Sequence, residues 1–345
     1  MHAARAPLRA LERAPRANAD APQTAFPQVV VVTGANSGIG WETAKELATH
    51  GARVILAGRS KDKVAAAVAR LKACRPTCVA EGAVVDLASF ASIEAFAKEL
   101  RDKVKLKALH VLVNCAGTFM PPHAKTEQGL ELQLGVNHVG TTYLTALLLP
   151  LLKAAKGARV VTVASSLAST AACVDMEDVG GEKLSESSFS TYATSKLCNA
   201  LYTLELNERC KGAGVDAFCV NPGRLVRASS LRLDHTPAPD SLSLAAQIAT
   251  NITSKADQES WILKLLGPAM SVMAVDAADG ALAVLHAATT PGLAGGAMFS
   301  ASDINSRVVQ EWKPYAAAFT PENAKLLMEA TLKLIVAKGG KPDAK

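Results

Sequence analysis

Thr33-Gly34-Ala35-Asn36-Ser37-Gly38-Ile39-Gly40 stands directly behind an apolar run, Gln28 to Thr33, and leads into a segment of helical period, Gly38 to His50. The setting carries more information than the letters. A glycine at 34 lets the chain turn sharply, Gly38 lets backbone approach a pyrophosphate, and Gly40 lets the following helix pack close to the sheet. Free N–H groups at the positive end of that helix would then face the phosphates. The spacing is looser than Gly-x-Gly-x-x-Gly, but strand before and helix after set it apart from ordinary turn chemistry. Gly34, Asn36, Ser37, Gly38, Ile39 and Gly40 therefore read as a phosphate cradle.

Outward from the cradle the alternation continues. Arg53 to Ala57, Cys78 to Asp86, Leu109 to Asn114, Ala158 to Ala164 and Val215 to Val220 read as buried strands, with a short seventh at Gly296 to Phe299. Lys61 to Ala73, Ser89 to Lys103, Leu130 to Ala155 (as one helix or two) and Phe189 to Lys211 read as helices. Apolar strands alternating with helices require a parallel sheet covered on both faces. Right-handed crossovers then lead to a single-domain, Rossmann-like α/β fold, a doubly wound sheet of about seven strands spanning 28–345. Residues 224–273 are too long for an ordinary loop and carry Trp261, Leu263, Leu265 and Leu266, as a substrate lid would. Residues 1–27 differ in kind: four arginines and four prolines against two acidic residues suit either a transit peptide or an extension with no address.

Composition narrows the function classes. Of 345 residues 49% are hydrophobic and 20% charged, which excludes disorder for the bulk of the chain. A net charge of +6 with 4% aromatics lacks the basic, aromatic-studded surface of a nucleic-acid binder. Seven scattered cysteines do not form a secreted disulfide framework. The spacings of Cys74 with Cys78, and of His123, His138 and His235, match no metal-ligand pattern, so no metal is expected. No apolar stretch reaches the length that spans a bilayer, so no integral membrane segment is expected.

Chemistry-bearing residues fall at strand ends and on one helix. The second strand ends Ala57-Gly58-Arg59-Ser60-Lys61, with no carboxylate to accept from a ribose 2′-hydroxyl. Arg59 suits a 2′-phosphate instead, which points to NADP(H). Tyr192 and Lys196, four apart on a helix, share one face. A phenol is a poor base at neutral pH, and a neighbouring ammonium favours its ionised form. Such a pair can shuttle a proton while a nicotinamide carries the hydride. Ser165 closes the fifth strand, where a hydroxyl can bond a substrate oxygen.

These stretches occur in the order found in the short-chain dehydrogenase/reductase family, which the chain resembles over about residues 28 to 335. The matching motifs are Thr33-Gly34-x-x-x-Gly38-x-Gly40, Asn114-Cys115-Ala116-Gly117, Asn137, Ser165, Tyr192-x-x-x-Lys196 and Asn221-Pro222-Gly223. The resemblance implies catalytic roles for Ser165, Tyr192, Lys196 and Asn137, the last holding a proton-relay water, and selects Ser165 over its neighbour Ser166. It implies that Asp86 and Leu87 flank the adenine, that Asn114, Ala116 and Gly117 line the ribose side, and that Pro222 and Gly223 pack near the nicotinamide. The family's frequent threonine a few residues on is replaced by Arg224-Leu225-Val226-Arg227. Val136-Asn137-His138-Val139-Gly140 and Ser195-Lys196-Leu197-Cys198-Asn199 are similar to the retinol-dehydrogenase-like branch, to which the WW-domain-containing oxidoreductases also belong. The implied activity is NADP(H)-linked interconversion of a lipophilic alcohol and carbonyl, retinoid-, steroid- or lipid-aldehyde-like. The implied assembly is a homodimer or homotetramer. An NADP(H)-binding regulator without turnover is the alternative. The expected location is the cytoplasm, or a plastid or mitochondrion if residues 1–27 are a transit peptide.

Overall fold

The computed structural model describes residues 28–185, 188–223, 277–301 and 309–342. The extension 1–27 and the expected lid 224–273 lie outside the described residues.

In chain order the elements are β1 (Val29–Thr33), α1 (Gly38–Thr49), β2 (Arg53–Gly58), α2 (Lys61–Cys74), β3 (Ala80–Val84), α3 (Phe90–Asp102) and β4 (Val111–Asn114). A helical turn at Leu132–Leu134 runs through a π turn, Gly135–Gly140, into α4 (Thr141–Lys153). Then follow β5 (Ala158–Val163), a 3-10 turn (Ser166–Thr170), α5 (Phe189–Arg209), β6 (Val215–Asn221), α6 (Ala277–Thr289), β7 (Met298–Ala301), β8 (Val309–Glu311) and α7 (Pro321–Ala337). The sheet order is β3-β2-β1-β4-β5-β6-β7-β8. All pairings are parallel except β7 with β8. β1 lies between β2 and β4, so the winding direction reverses there, and in open α/β sheets such a point is where ligands bind, at the carboxyl ends of the strands.

Side-chain alternation along the strands divides the core into two layers. Val31, Ile55, Leu112 and Val160 face one layer, with Phe96 of α3 and Leu144 and Leu148 of α4. Val30, Val54, Val113, Val161 and Phe218 face the other, with Trp41 of α1 and Ala281 and Leu285 of α6. Strands buried on both faces explain the near-continuous valine runs. Side-chain caps start four of the named helices: Lys63 N–H donates to Ser60 Oγ, Ser92 N–H to Ser89 Oγ, Thr191 N–H to Ser188 Oγ, and Asn323 N–H to Thr320 Oγ1.

Three features depart from the sequence expectation. Among the described residues the sheet has eight strands. The eighth is antiparallel, pairing Phe299 with Glu311, and it is too short and polar to show an alternating pattern. The segment from Leu130 is a helical run with a π turn inside it. Gly140 crosses so close to the Leu87 carbonyl that a Cβ would lie 2.2 Å from its oxygen. Strand ends also shift by a residue or two, as at β7, which begins at Met298 rather than Gly296. Helix α7 packs on α5, with Ala324 and Leu327 among Ala193, Leu197 and Leu201, in a small third core. Among the described residues no helix is long and apolar enough to cross a membrane.

Candidate active site

The β1–α1 connection forms from two close approaches. Gly34 has φ +69°, and a Cβ there would meet the Ala116 backbone at 2.9 Å, so the turn presses on the segment after β4. A Cβ on Gly40 would meet the Gly34 carbonyl oxygen at 2.6 Å. The close approach that Gly40 permits is thus of α1 to the turn that leaves β1. Thr33 ties the cradle to the neighbouring strand, its Oγ accepting from the N–H groups of Cys115 and Ala116, both at 3.0 Å. Ser37 occupies the N-cap position of α1, yet its hydroxyl makes no capping bond and is exposed. Ile39 of the cradle and Pro222 beyond β6 both lie against Gly280 of α6, 3.0 and 3.5 Å from where a Cβ would stand.

At the end of β2, Gly58 leaves room for Asn36, whose Oδ1 would lie 3.2 Å from a Cβ placed there. Arg59, next in the chain, is exposed and makes no hydrogen bond or ion pair among the described residues. Asp86 and Leu87 follow β3. Asp86 Oδ1 accepts from Ala88 N–H at 2.9 Å, while the Asp86 N–H donates to Ser92 Oγ, also at 2.9 Å. Asn114 ends β4, its Nδ2 donating to Thr145 Oγ1 at 3.0 Å. Beyond β6, Gly223 N–H donates to Asn221 Oδ1 at 3.2 Å.

Asn137, Lys196 and Gly117 converge. A Cβ on Gly117 would lie 3.1 Å from Asn137 Oδ1 and 3.5 Å from Lys196 Nζ. Lys196 is buried, and its Nζ donates to the Val163 carbonyl at the end of β5 at 3.0 Å. The same Nζ lies 5.6 Å from the centroid of the Tyr192 ring. Asn137 is fully buried in the π turn. Its Oδ1 accepts from Thr118 N–H at 2.7 Å, and its Nδ2 donates to the Thr118 carbonyl at 2.9 Å and to Ser195 Oγ at 3.0 Å. Ser195 Oγ in turn donates to the Tyr192 carbonyl at 2.7 Å. Ser165 caps the 3-10 turn after β5 by accepting from Leu167 N–H at 3.2 Å. Ser165 and Tyr192 reach the same end of the sheet, but no hydrogen bond joins them among the described residues.

Neighbouring titratable groups are held neutral. Burial raises the Cys115 thiol to about 11 and the Cys219 thiol to about 12, against the pull of the Lys196 ammonium on both. Burial lowers His138, beside Asn137, to about 4. Its Nε2 pairs with Thr331 Oγ1 of α7 at 2.9 Å, an ordinary polar role. Among the described residues no three His, Cys, Asp or Glu side chains gather as metal ligands.

Thr33, Thr118, Ser195 and Gln133 took no role in the sequence reading. Ser195 had a visible signal, since it abuts Lys196. Gln133 had none, because its two partners are 13 and 55 residues away: its Oε1 accepts from Met120 N–H and its Nε2 donates to the Ser188 carbonyl, each at 2.9 Å.

A family model described as short chain dehydrogenase matches residues 28–231. Mouse retinol dehydrogenase 11 is 43% identical over 208 residues, covering 59% of this chain and 65% of that protein. Human retinol dehydrogenase 12 is 44% identical over 208 residues, with the same shares covered. The chain thus spans just under two thirds of the length of these curated relatives. Among solved structures, an uncharacterized protein from Mycobacterium paratuberculosis superposes with a TM-score of 0.65 at 28% identity, covering 93% of this chain and 98% of that one.

Proposed function

The chain belongs to the short-chain dehydrogenase family, and from that membership we propose that it is an NADP(H)-dependent oxidoreductase acting on a lipophilic alcohol or carbonyl. The observation that carries the reading is the buried Lys196 ammonium, fixed on the Val163 carbonyl and set beside the Tyr192 ring. A buried ammonium is retained where its charge has work to do.

The residues present fit the cofactor. The cradle offers a helix start without a side-chain cap, and the Ser37 hydroxyl, which accepts from Asn36 Nδ2 at 3.4 Å, keeps its proton to donate to a phosphate. Arg59 and Ser60, beside Asn36, would hold the 2′-phosphate, and no carboxylate competes at the end of β2. Asp86 and Leu87 would bound the adenine, Asn114, Ala116 and Gly117 the ribose, and Pro222, Gly223 and Ile39 the nicotinamide. When bound, NADP(H) supplies or takes up the hydride.

The protein's own part is proton transfer and orientation. Tyr192 Oη gives its proton to the substrate oxygen in reduction and takes it back in oxidation. The Lys196 ammonium stabilises the phenolate left behind. The Ser165 hydroxyl donates to the same substrate oxygen. Asn137 holds Thr118 and Ser195, and with both Nδ2 protons committed it has only acceptor capacity left for a relay water. With the Cys115 and Cys219 thiols and the His138 imidazole neutral, none of them competes with Tyr192 for this role.

Retinol dehydrogenases 11 and 12 act, by name, on retinol, which supports a lipophilic substrate here. The test is NADPH oxidation with a panel of retinoid, steroid and lipid aldehydes. Tyr192→Phe is expected to lose about 10² to 10⁴ in turnover while NADPH still binds. Turnover that survives in Tyr192→Phe would remove the phenol from the chemistry. A wild-type chain that binds NADPH and reduces none of the panel would leave the regulatory alternative.

A further inference from the structure

Phe119 is 40% exposed, unusual for a ring in a chain with few aromatics, and it stands on Tyr192. The two ring centroids are 4.6 Å apart and nearly perpendicular, at 81°. Phe189, three residues before Tyr192 on α5, completes the cluster edge-on at 6.4 Å from Phe119.

The backbone around Phe119 is clamped on both sides. Thr118, before it, has both its N–H and its carbonyl bonded to Asn137. Met120, after it, has φ +45°, a conformation a side chain of this kind rarely adopts, and its N–H donates to Gln133 Oε1. Gln133 and Asn137 are fully buried amides four residues apart on one helical run. Each also reaches α5, Gln133 through the Ser188 carbonyl and Asn137 through Ser195 Oγ. Two amides thus lock the 118–120 segment to the helix that carries Tyr192. A strained residue persists where its surroundings over-determine it, and such residues concentrate at ligand sites. A core ring would need neither the clamps nor the exposure.

We propose that Phe119 is a specificity-determining residue, the wall on which the substrate's carbon skeleton lies while its oxygen meets Tyr192. Two flat faces at a right angle make a corner. A planar apolar group, an aryl ring or a conjugated chain attached directly to the reacting carbon, fills that corner by stacking or edge contact with Phe119. A small aliphatic carbonyl leaves it unfilled. The proposal deepens the reading of Tyr192 as the proton carrier and rests on it for the placement of the oxygen.

Two arms test it on the full chain. In the first, 2-naphthylmethanol is titrated into the NADPH-saturated protein, a complex in which no hydride can pass, and followed by naphthalene fluorescence. Phe119→Ala is expected to weaken binding by about tenfold or more, the share of an aromatic contact and its buried area, and Phe119→Leu by less. Unchanged binding in Phe119→Ala, or no binding to the wild type, overturns the proposal. In the second, kcat/KM is measured for 2-naphthaldehyde and for propanal. The ratio of the two is expected to fall at least about tenfold in Phe119→Ala, mainly through KM for the naphthyl substrate. Loss by one common factor for both aldehydes would mean that Phe119 acts only through Tyr192, and would overturn the proposal as well. A wild type that reduces neither aldehyde counts against the oxidoreductase reading, and the binding arm still decides the role of Phe119.

Discussion

At Ser195 a single hydroxyl joins the helix bearing Tyr192 to the amide that holds the opposite loop, donating to the Tyr192 carbonyl and accepting from Asn137. Ser195→Ala leaves that Asn137 proton without an acceptor inside a buried site. Its expected effect is a loss of about fivefold in kcat, on the order of 1 kcal/mol, with NADPH affinity unchanged. Ser195→Thr, which keeps the hydroxyl, should restore most of the rate. Steady-state kinetics beside a cofactor titration separate this from general damage, which would move both. At this scale the sequence showed the residues that bear chemistry, because the glycine cradle and the Tyr192/Lys196 spacing are local patterns. It did not show the residues that hold them. The Thr33 contact with the segment after β4 spans more than 80 positions, and the Gln133 bond to Ser188 spans 55. Such pairings exist only once the strands have assembled.

Helix α7 shows how an element beyond the matched family region joins the site's support. It packs on α5 through Ala324 and Leu327, and Thr331 reaches His138 next to Asn137. Burial holds His138 near 4 in the folded chain, against 6.5 for the free side chain. Between those values the unfolded chain binds a proton that the folded one excludes. Stability therefore rises with pH through this window, is greatest above 6.5, and falls as the pH drops toward 4, by about 3 kcal/mol. The half-buried His110 and His286, also lowered by burial, add to the same trend. Urea unfolding from pH 4 to 8 should show the slope, and His138→Gln should flatten much of it. A slope unchanged in His138→Gln would assign the acid sensitivity elsewhere. Element types were legible wherever period and length agreed. The π turn was not, because an extra residue in one turn leaves the apolar pattern looking like one helix or two. β8 was not legible either: three residues with exposed Gln310 and Glu311 carry no strand signature.

Over the whole molecule, the sheet order places every proposed functional side chain at one end. The cradle lies after β1, Arg59 after β2, Asp86 after β3, Asn114 and Gly117 at and after β4, Ser165 after β5, and Pro222 after β6. The parallel sheet and its single reversal account for this, since ligands bind where the winding changes direction. That much followed from alternating apolar strands and helices, because the crossover rule leaves few other topologies. We propose that this end of the sheet holds a 2′-phosphorylated dinucleotide. The most direct test is separate titration of NADPH and NADH into the purified chain, followed by nicotinamide fluorescence, with Arg59→Ala alongside. NADPH should bind more tightly than NADH by about tenfold or more, and Arg59→Ala should erase the difference, as expected for a charge-assisted pair with phosphate. Tighter binding of NADH, or a preference for NADPH that survives in Arg59→Ala, would contradict the account.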